Sequence, residues 1–196
     1  AVAKIAEPLT AANRGVSMES IVHQAGLTFR DPATKELTAL HKLMDAFVVN
    51  GIVATKSDGT KITVKPLASA AVSSNDVPTV QAVTSLFGGV IFGMNMEVAQ
   101  QHQQTWDTVN GSPPWGGHAV LGAAYTGTAS DDEAVISWAK RYGTTDTFIS
   151  QQAEEAFVVV LPITLTSPDF EAGVDLAQLG SDWTGLTGKP FPVAQP

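Results

Sequence analysis

Four short apolar runs in the second half of the chain restrict what it can fold into. They are Gly89–Met96, His118–Tyr125, Glu133–Trp138 and Ala156–Leu161. Each is too short for a stable buried helix. Each is flanked by glycine, proline or acidic residues, as buried strands are. The first half is patterned differently. Leu37, Leu40, Leu43, Met44, Phe47 and Val48 follow Asp31-Pro32 at helical spacing and stop at Asn50-Gly51. That stripe predicts a helix with one buried face. Helices first and mostly antiparallel strands afterwards read as an α+β fold.

Smaller signals fill in the order. Residues 1–16 read as an extended lead-in. Ser17 can N-cap a helix reaching His23 or Gln24 and ending near Gly26. Gly51–Lys56 and Lys61–Lys65 flank Ser57-Asp58-Gly59-Thr60, a hairpin signal. Asn75-Asp76 opens a helix whose inner face is Val80, Val83, Leu86 and Phe87, stopped by Gly88-Gly89. Glu97–Gly117 reads as a long polar loop and Thr145–Gln152 as a short helix. After Pro162 only a last helical turn, Val174–Leu179, is expected before an irregular tail. The expected organisation is one domain over residues 1–162, with its helical part at about 13–50 and its β part at about 86–162. Residues 163–196 form an irregular C-terminal extension.

Composition excludes several functions. With 44% apolar and 15% charged residues the chain is too hydrophobic for disorder throughout. Its net charge of −8 argues against nucleic acid and anionic membranes as partners. No apolar run is long enough to span a bilayer, and Ala1–Thr10 lacks a signal-peptide pattern. Cysteine is absent, which removes disulfides, thiolate metal sites and a cysteine nucleophile from this sequence. His23 and His41 have no ligand-spaced carboxylate partners, so neither metal nor cofactor is expected. His102 reads as a solvated loop residue, Asp131-Asp132-Glu133 as a turn and Glu154-Glu155 as a strand edge.

The segment Trp115-Gly116-Gly117-His118-Ala119-Val120, ending at Tyr125, resembles the histidine strand of papain-like cysteine peptidases. Val135-Ile136-Ser137-Trp138 resembles that family's strand ending in Asn-Ser-Trp-Gly, and Gly89-Val90-Ile91-Phe92 its Gly-Pro-Val strand. The sequence is similar to a mostly uncharacterised papain-like group of phages and the bacterial genomes carrying them. That similarity rests on Trp115–Val120, Ser137-Trp138, Glu155-Ala156-Phe157, Ser167-Pro168-Asp169 and Asp175–Leu179. The resemblance implies a papain-like fold, with N-terminal helices on a mostly antiparallel sheet or half-barrel.

It also implies roles, most of them altered. Gly15-Val16-Ser17 matches the step before the nucleophile, so Ser17 stands where the family has cysteine. Ala11 falls at the oxyanion-hole Gln, with Asn13 near it. Ile136 falls at the Asn that orients the imidazole, with Ser137 or Asp146 as substitutes. Only His118 is intact. A serine hydroxyl does not form the thiolate–imidazolium pair on which papain chemistry rests.

The bland readings are a helix N-cap for Ser17 and a hydrogen-bonded strand residue for His118. Trp115 and Trp138 would pack around the histidine.

The expected function is a non-catalytic pseudo-enzyme, a structural protein of a phage particle. Its partners would be other virion or coat proteins, or copies of itself, and its location the virion. Secretion or the bacterial cytoplasm are the alternatives. A second expectation is a serine-variant hydrolase using Ser17 and His118. A third is a sugar- or peptide-binding module, with Trp106, Trp115 and Trp138 as contact residues.

Overall fold

The computed structural model describes residues 40–55, 58–125, 133–138, 140–162 and 175–191. Among them are four α-helices, a two-stranded hairpin and a seven-stranded, mostly antiparallel sheet that does not close. Helix α1 (Leu40–Asn50) buries Leu40, Leu43, Met44 and Phe47, the face that the spacing predicts. Its expected start at Asp31-Pro32, Leu37 and the whole Ser17 helix lie outside the described residues. Gly51, at φ +69°, ends α1, and its N–H donates to the Phe47 carbonyl at 2.9 Å. The Asp-Gly hairpin follows as β1 (Ile52–Thr55) and β2 (Lys61–Val64). In its turn the Asp58 carboxylate accepts from the Thr60 N–H.

Strand β3 (Ala68–Val72) is an Ala-Ser-Ala-Ala-Val segment without apolar alternation, so the sequence leaves it unassigned. Helix α2 (Val77–Phe87) is capped by Asp76, which accepts from the Thr79 N–H, and ends at Gly88 in the left-handed region. Thr84 is buried in it without penalty, because its hydroxyl donates to the Val80 carbonyl. Then come β4 (Val90–Glu97), a 3₁₀ turn (Val98–Gln101), β5 (Thr105–Trp106), β6 (Pro114–Ala124), β7 (Glu133–Ser137), β8 (Lys140–Thr144), α3 (Asp146–Gln152) and β9 (Ala153–Val160). The last helix is α4 (Leu176–Thr187). The sheet order is β3-β9-β4-β6-β7-β8-β5, with only β5–β8 parallel.

Because strand side chains alternate, the sheet carries two apolar faces. Ile91, with Leu121, Phe157 and Val159, packs under α1 and the hairpin through Leu43, Phe47, Ile52 and Val64. Val90, Phe92, Met94, Val120 and Val135 pack on the other side with Val80, Trp106, Phe148 and Ile149. Phe87, Val158, Val160 and Trp183 extend that side. Each such side chain contributes about 1.5–3 kcal/mol by burial. The result is a sheet sandwiched between helical layers.

Two expectations need correction, and two acidic segments find their place. The segment 97–117 is not one loop: it holds the 3₁₀ turn and β5, and β6 starts at Pro114, four residues ahead of His118. Residues 163–196 are not irregular throughout, because α4 runs for twelve residues and docks by Trp183, 5% exposed. Glu154-Glu155 lies at the start of β9, ahead of its pairing with β3, which begins at Ala156. Glu133 opens β7, as the run Glu133–Trp138 predicts rather than the turn reading of Asp131-Asp132-Glu133, and it is fully buried.

Candidate functional site

His118 lies in the middle of β6, opposite Met94 of β4. That register puts it on the sheet face occupied by Phe92, Val120 and Val135. The next strand supplies its partner. On β7, Val135 pairs with Gly122 and Ile136 with Leu121, so Val135 and Ser137 share the face of His118. Ile136 points to the opposite face. The residue that meets the imidazole is therefore Ser137, one of the two substitutes named for the orienting residue, and the two-residue period of the strand turns Ile136 away from it.

Ser137 Oγ lies 2.6 Å from His118 Nε2. Burial lowers the His118 pKa from 6.5 to about 4, so the ring is neutral at pH 7. A neutral ring pairs with a hydroxyl in either of two ways. The Ser137 hydroxyl donates to Nε2 while Nδ1 holds the ring proton, or Nε2–H donates to Oγ. A serine and a histidine so placed also describe a nucleophile and its base. Here Ser137 is 3% exposed, so no substrate carbonyl reaches it. Its chemistry is to hold the ring. Asp146, the other candidate for that task, instead accepts from Gln81 Nε2.

Aromatic rings enclose the pair. Trp138 stacks on the imidazole, with centroids 4.5 Å apart and planes 17° apart. It does so from a backbone φ of +45°, which costs a side-chain-bearing residue energy. Trp115 sits 6.2 Å from the imidazole and 5.6 Å from Trp138. Both tryptophans are exposed at nearly half their surface and could touch a partner. Trp106 is different. It is 0% exposed, stacked on Tyr142 and edge-on to His118. As a ligand contact it is closed off; it is the floor beneath the histidine.

Ser17, Ala11 and Asn13 lie outside the described residues, so the nucleophile end of the expected arrangement has no geometry to report. Among the described residues no three His, Cys, Asp or Glu side chains converge as metal ligands, and no helix is long and apolar enough to cross a membrane.

Sequence reasoning missed a cavity of about 320 Å³ between α1 and the sheet. It is lined by Leu40, Leu43, Gly93, Asn95, Ala119 and Glu155 and extends to His118. A bulge where β9 pairs with β4 lets Glu154 and Glu155 both line it. Glu155 meets His41 Nδ1 of α1 at 2.9 Å, and Glu154 accepts from Asn95 Nδ2. No periodic signal announces a bulge.

No protein-family model matches the chain, and no curated protein sequence matches it significantly.

Proposed function

We propose that the chain is a papain-like domain without peptidase chemistry, serving as a structural and interaction protein of a phage particle. One observation carries the first part: a neutral His118 whose Nε2 is engaged by a buried serine, in a sequence without a thiol. Papain chemistry needs a thiolate beside an imidazolium. This histidine resists protonation and has no thiol in the chain to accept a proton from. What remains is a rigid hydrogen-bonded and stacked cluster that supports an aromatic surface at Trp115 and Trp138. The virion assignment rests on the sequence resemblance, with coat proteins or copies of the chain as partners.

Quantitative mass spectrometry of purified particles tests that assignment. The chain is expected at a copy number comparable with other structural proteins. Its absence, or a trace amount, removes the assignment.

A serine-variant hydrolase is the second reading. It is favoured by one detail: the Ser137 bond uses Nε2, and Nδ1 makes no hydrogen bond among the described residues. That leaves a ring nitrogen for a hydroxyl such as that of Ser17. A serine-reactive phosphonate, read by intact mass beside a His118→Ala control, separates the two. No adduct is expected. A single adduct on Ser17 that requires His118 overturns the non-catalytic reading.

A further inference from the structure

The chain contains two Asn-Gly steps, Asn50-Gly51 and Asn110-Gly111, and the fold treats them oppositely. Such a step is the sequence most prone to intramolecular cyclisation, because glycine offers no side chain to hinder attack by its own amide nitrogen. The reaction requires that nitrogen to be free, and the step to have room to rotate until the nitrogen faces the asparagine side chain.

At Asn50 neither condition is met. The Gly51 N–H donates to the Phe47 carbonyl at 2.9 Å. Gly51 is buried, and even a Cβ there would lie 2.8 Å from the Val64 carbonyl oxygen. The step is clamped between α1 and the hairpin.

At Asn110 both are open. Asn110 and Gly111 are exposed, and nothing lies within 4 Å of the position a Gly111 Cβ would take. They are the two central residues of a turn closed by the Ser112 N–H donating to the Val109 carbonyl at 3.0 Å. Gly111 has φ +80°, as the third position of a type II turn requires. Among the described residues its own N–H donates to no backbone acceptor.

We infer that Asn110 is a site of spontaneous deamidation and isomerisation in the folded protein, and that Asn50 is protected from the same chemistry. The Gly111 nitrogen bonds to Asn110 Cγ. The Cγ–Nδ2 bond breaks, and the side-chain nitrogen leaves as ammonia with the proton from the Gly111 amide. Water then opens the cyclic imide at either carbonyl, giving aspartate or isoaspartate. Either product adds a negative charge, and isoaspartate adds a methylene to the backbone. The consequence reaches the aromatic surface. Ser112 Oγ accepts from the Ala99 N–H, the Pro113 carbonyl accepts from the Val98 N–H, and β6 begins one residue later, ahead of Trp115. Conversion therefore alters the segment that anchors Trp115, whatever that surface binds.

The test is ageing of the purified full chain in mildly alkaline buffer, with peptide mapping and isoaspartyl-methyltransferase labelling. A parallel sample is held in denaturant. In the folded sample aspartate and isoaspartate are expected at position 110 while Asn50 stays intact. In denaturant the two positions are expected to convert at similar rates. Equal conversion of both in the folded protein, or an intact Asn110 there beside a converted one in denaturant, overturns the inference.

Discussion

Ser137 Oγ and His118 Nε2, on neighbouring strands, sit 2.6 Å apart, and the hydroxyl is almost wholly buried. Removing one partner leaves the other without its bond in a desolvated place. Ser137→Ala is expected to destabilise the fold by about 1–2 kcal/mol, measured by urea denaturation. It should also change the ¹⁵N shifts of the imidazole, since the bond that selects the tautomer is gone.

Acid should weaken the protein through His118. Its folded pKa is about 4 and its unfolded value 6.5. Between these values the unfolded chain holds the proton and the folded one does not, so stability rises with pH. The contribution is complete above pH 6.5, falls as pH drops from 6.5 toward 4, and is fully lost below. His118→Gln is expected to flatten that part of the stability–pH curve. The His118 ring proton signals should titrate with a midpoint near pH 4 in the wild type.

Trp138 trades backbone strain for a stacked ring. At φ +45° alanine keeps the strain and loses the stack, whereas glycine loses both. Trp138→Ala should therefore be less stable than Trp138→Gly by about 1 kcal/mol, read from the two melting curves. The reverse order would mean that the ring, not the turn, sets the backbone here, so that alanine relaxes once the stack is gone.

Two glycines predict opposite signs. A Cβ on Gly122 would fall 2.6 Å from Phe92 Cε2 and 2.9 Å from Glu133 Oε1. Gly122→Ala is expected to cost about 1–3 kcal/mol by overpacking. Gly185 lies within α4 with nothing inside 4 Å of its Cβ position. Gly185→Ala should stabilise the protein by about 0.5–1 kcal/mol. Calorimetry of both variants checks the pair.

Trp183 fastens α4 to the sheet beside Phe87, Val158 and Val160. Trp183→Ala is expected to cost about 3–5 kcal/mol, in the range for large core truncations. Hydrogen exchange should show residues 176–187 opening first. An unchanged melting temperature would mean that α4 is not part of the cooperative fold.

Where local chemistry decides structure, the sequence was legible. The stripe of α1, the Asp-Gly turn, the Asp76 cap, the Thr145 cap of α3 and the four apolar strands all rest on short-range spacing and turn residues. So did the choice of His118, Trp138 and Ser137 as residues to watch. The strand β3 and the strand β8 were not legible, because Ala-Ser-Ala-Ala-Val and Lys-Arg-Tyr-Gly-Thr carry no alternating apolar pattern. Their place comes from pairing with β9 and β7. The length of α4 was hidden for a related reason: Gly180 and Gly185 weaken its helical signal, and Trp183 restores it only by burial against distant strands.

The sequence by itself determined the α+β class, the absence of a thiol, and the presence of a histidine strand followed by a Ser-Trp strand. Tertiary structure decided which side chains meet. Register placed Ser137 rather than Ile136 against His118, sank Trp106 beneath it, left Trp115 and Trp138 at the surface, and put His41 on Glu155. A shift of one residue along a strand reverses every side chain, and that choice is made by pairing across the sheet rather than by any neighbour in the chain.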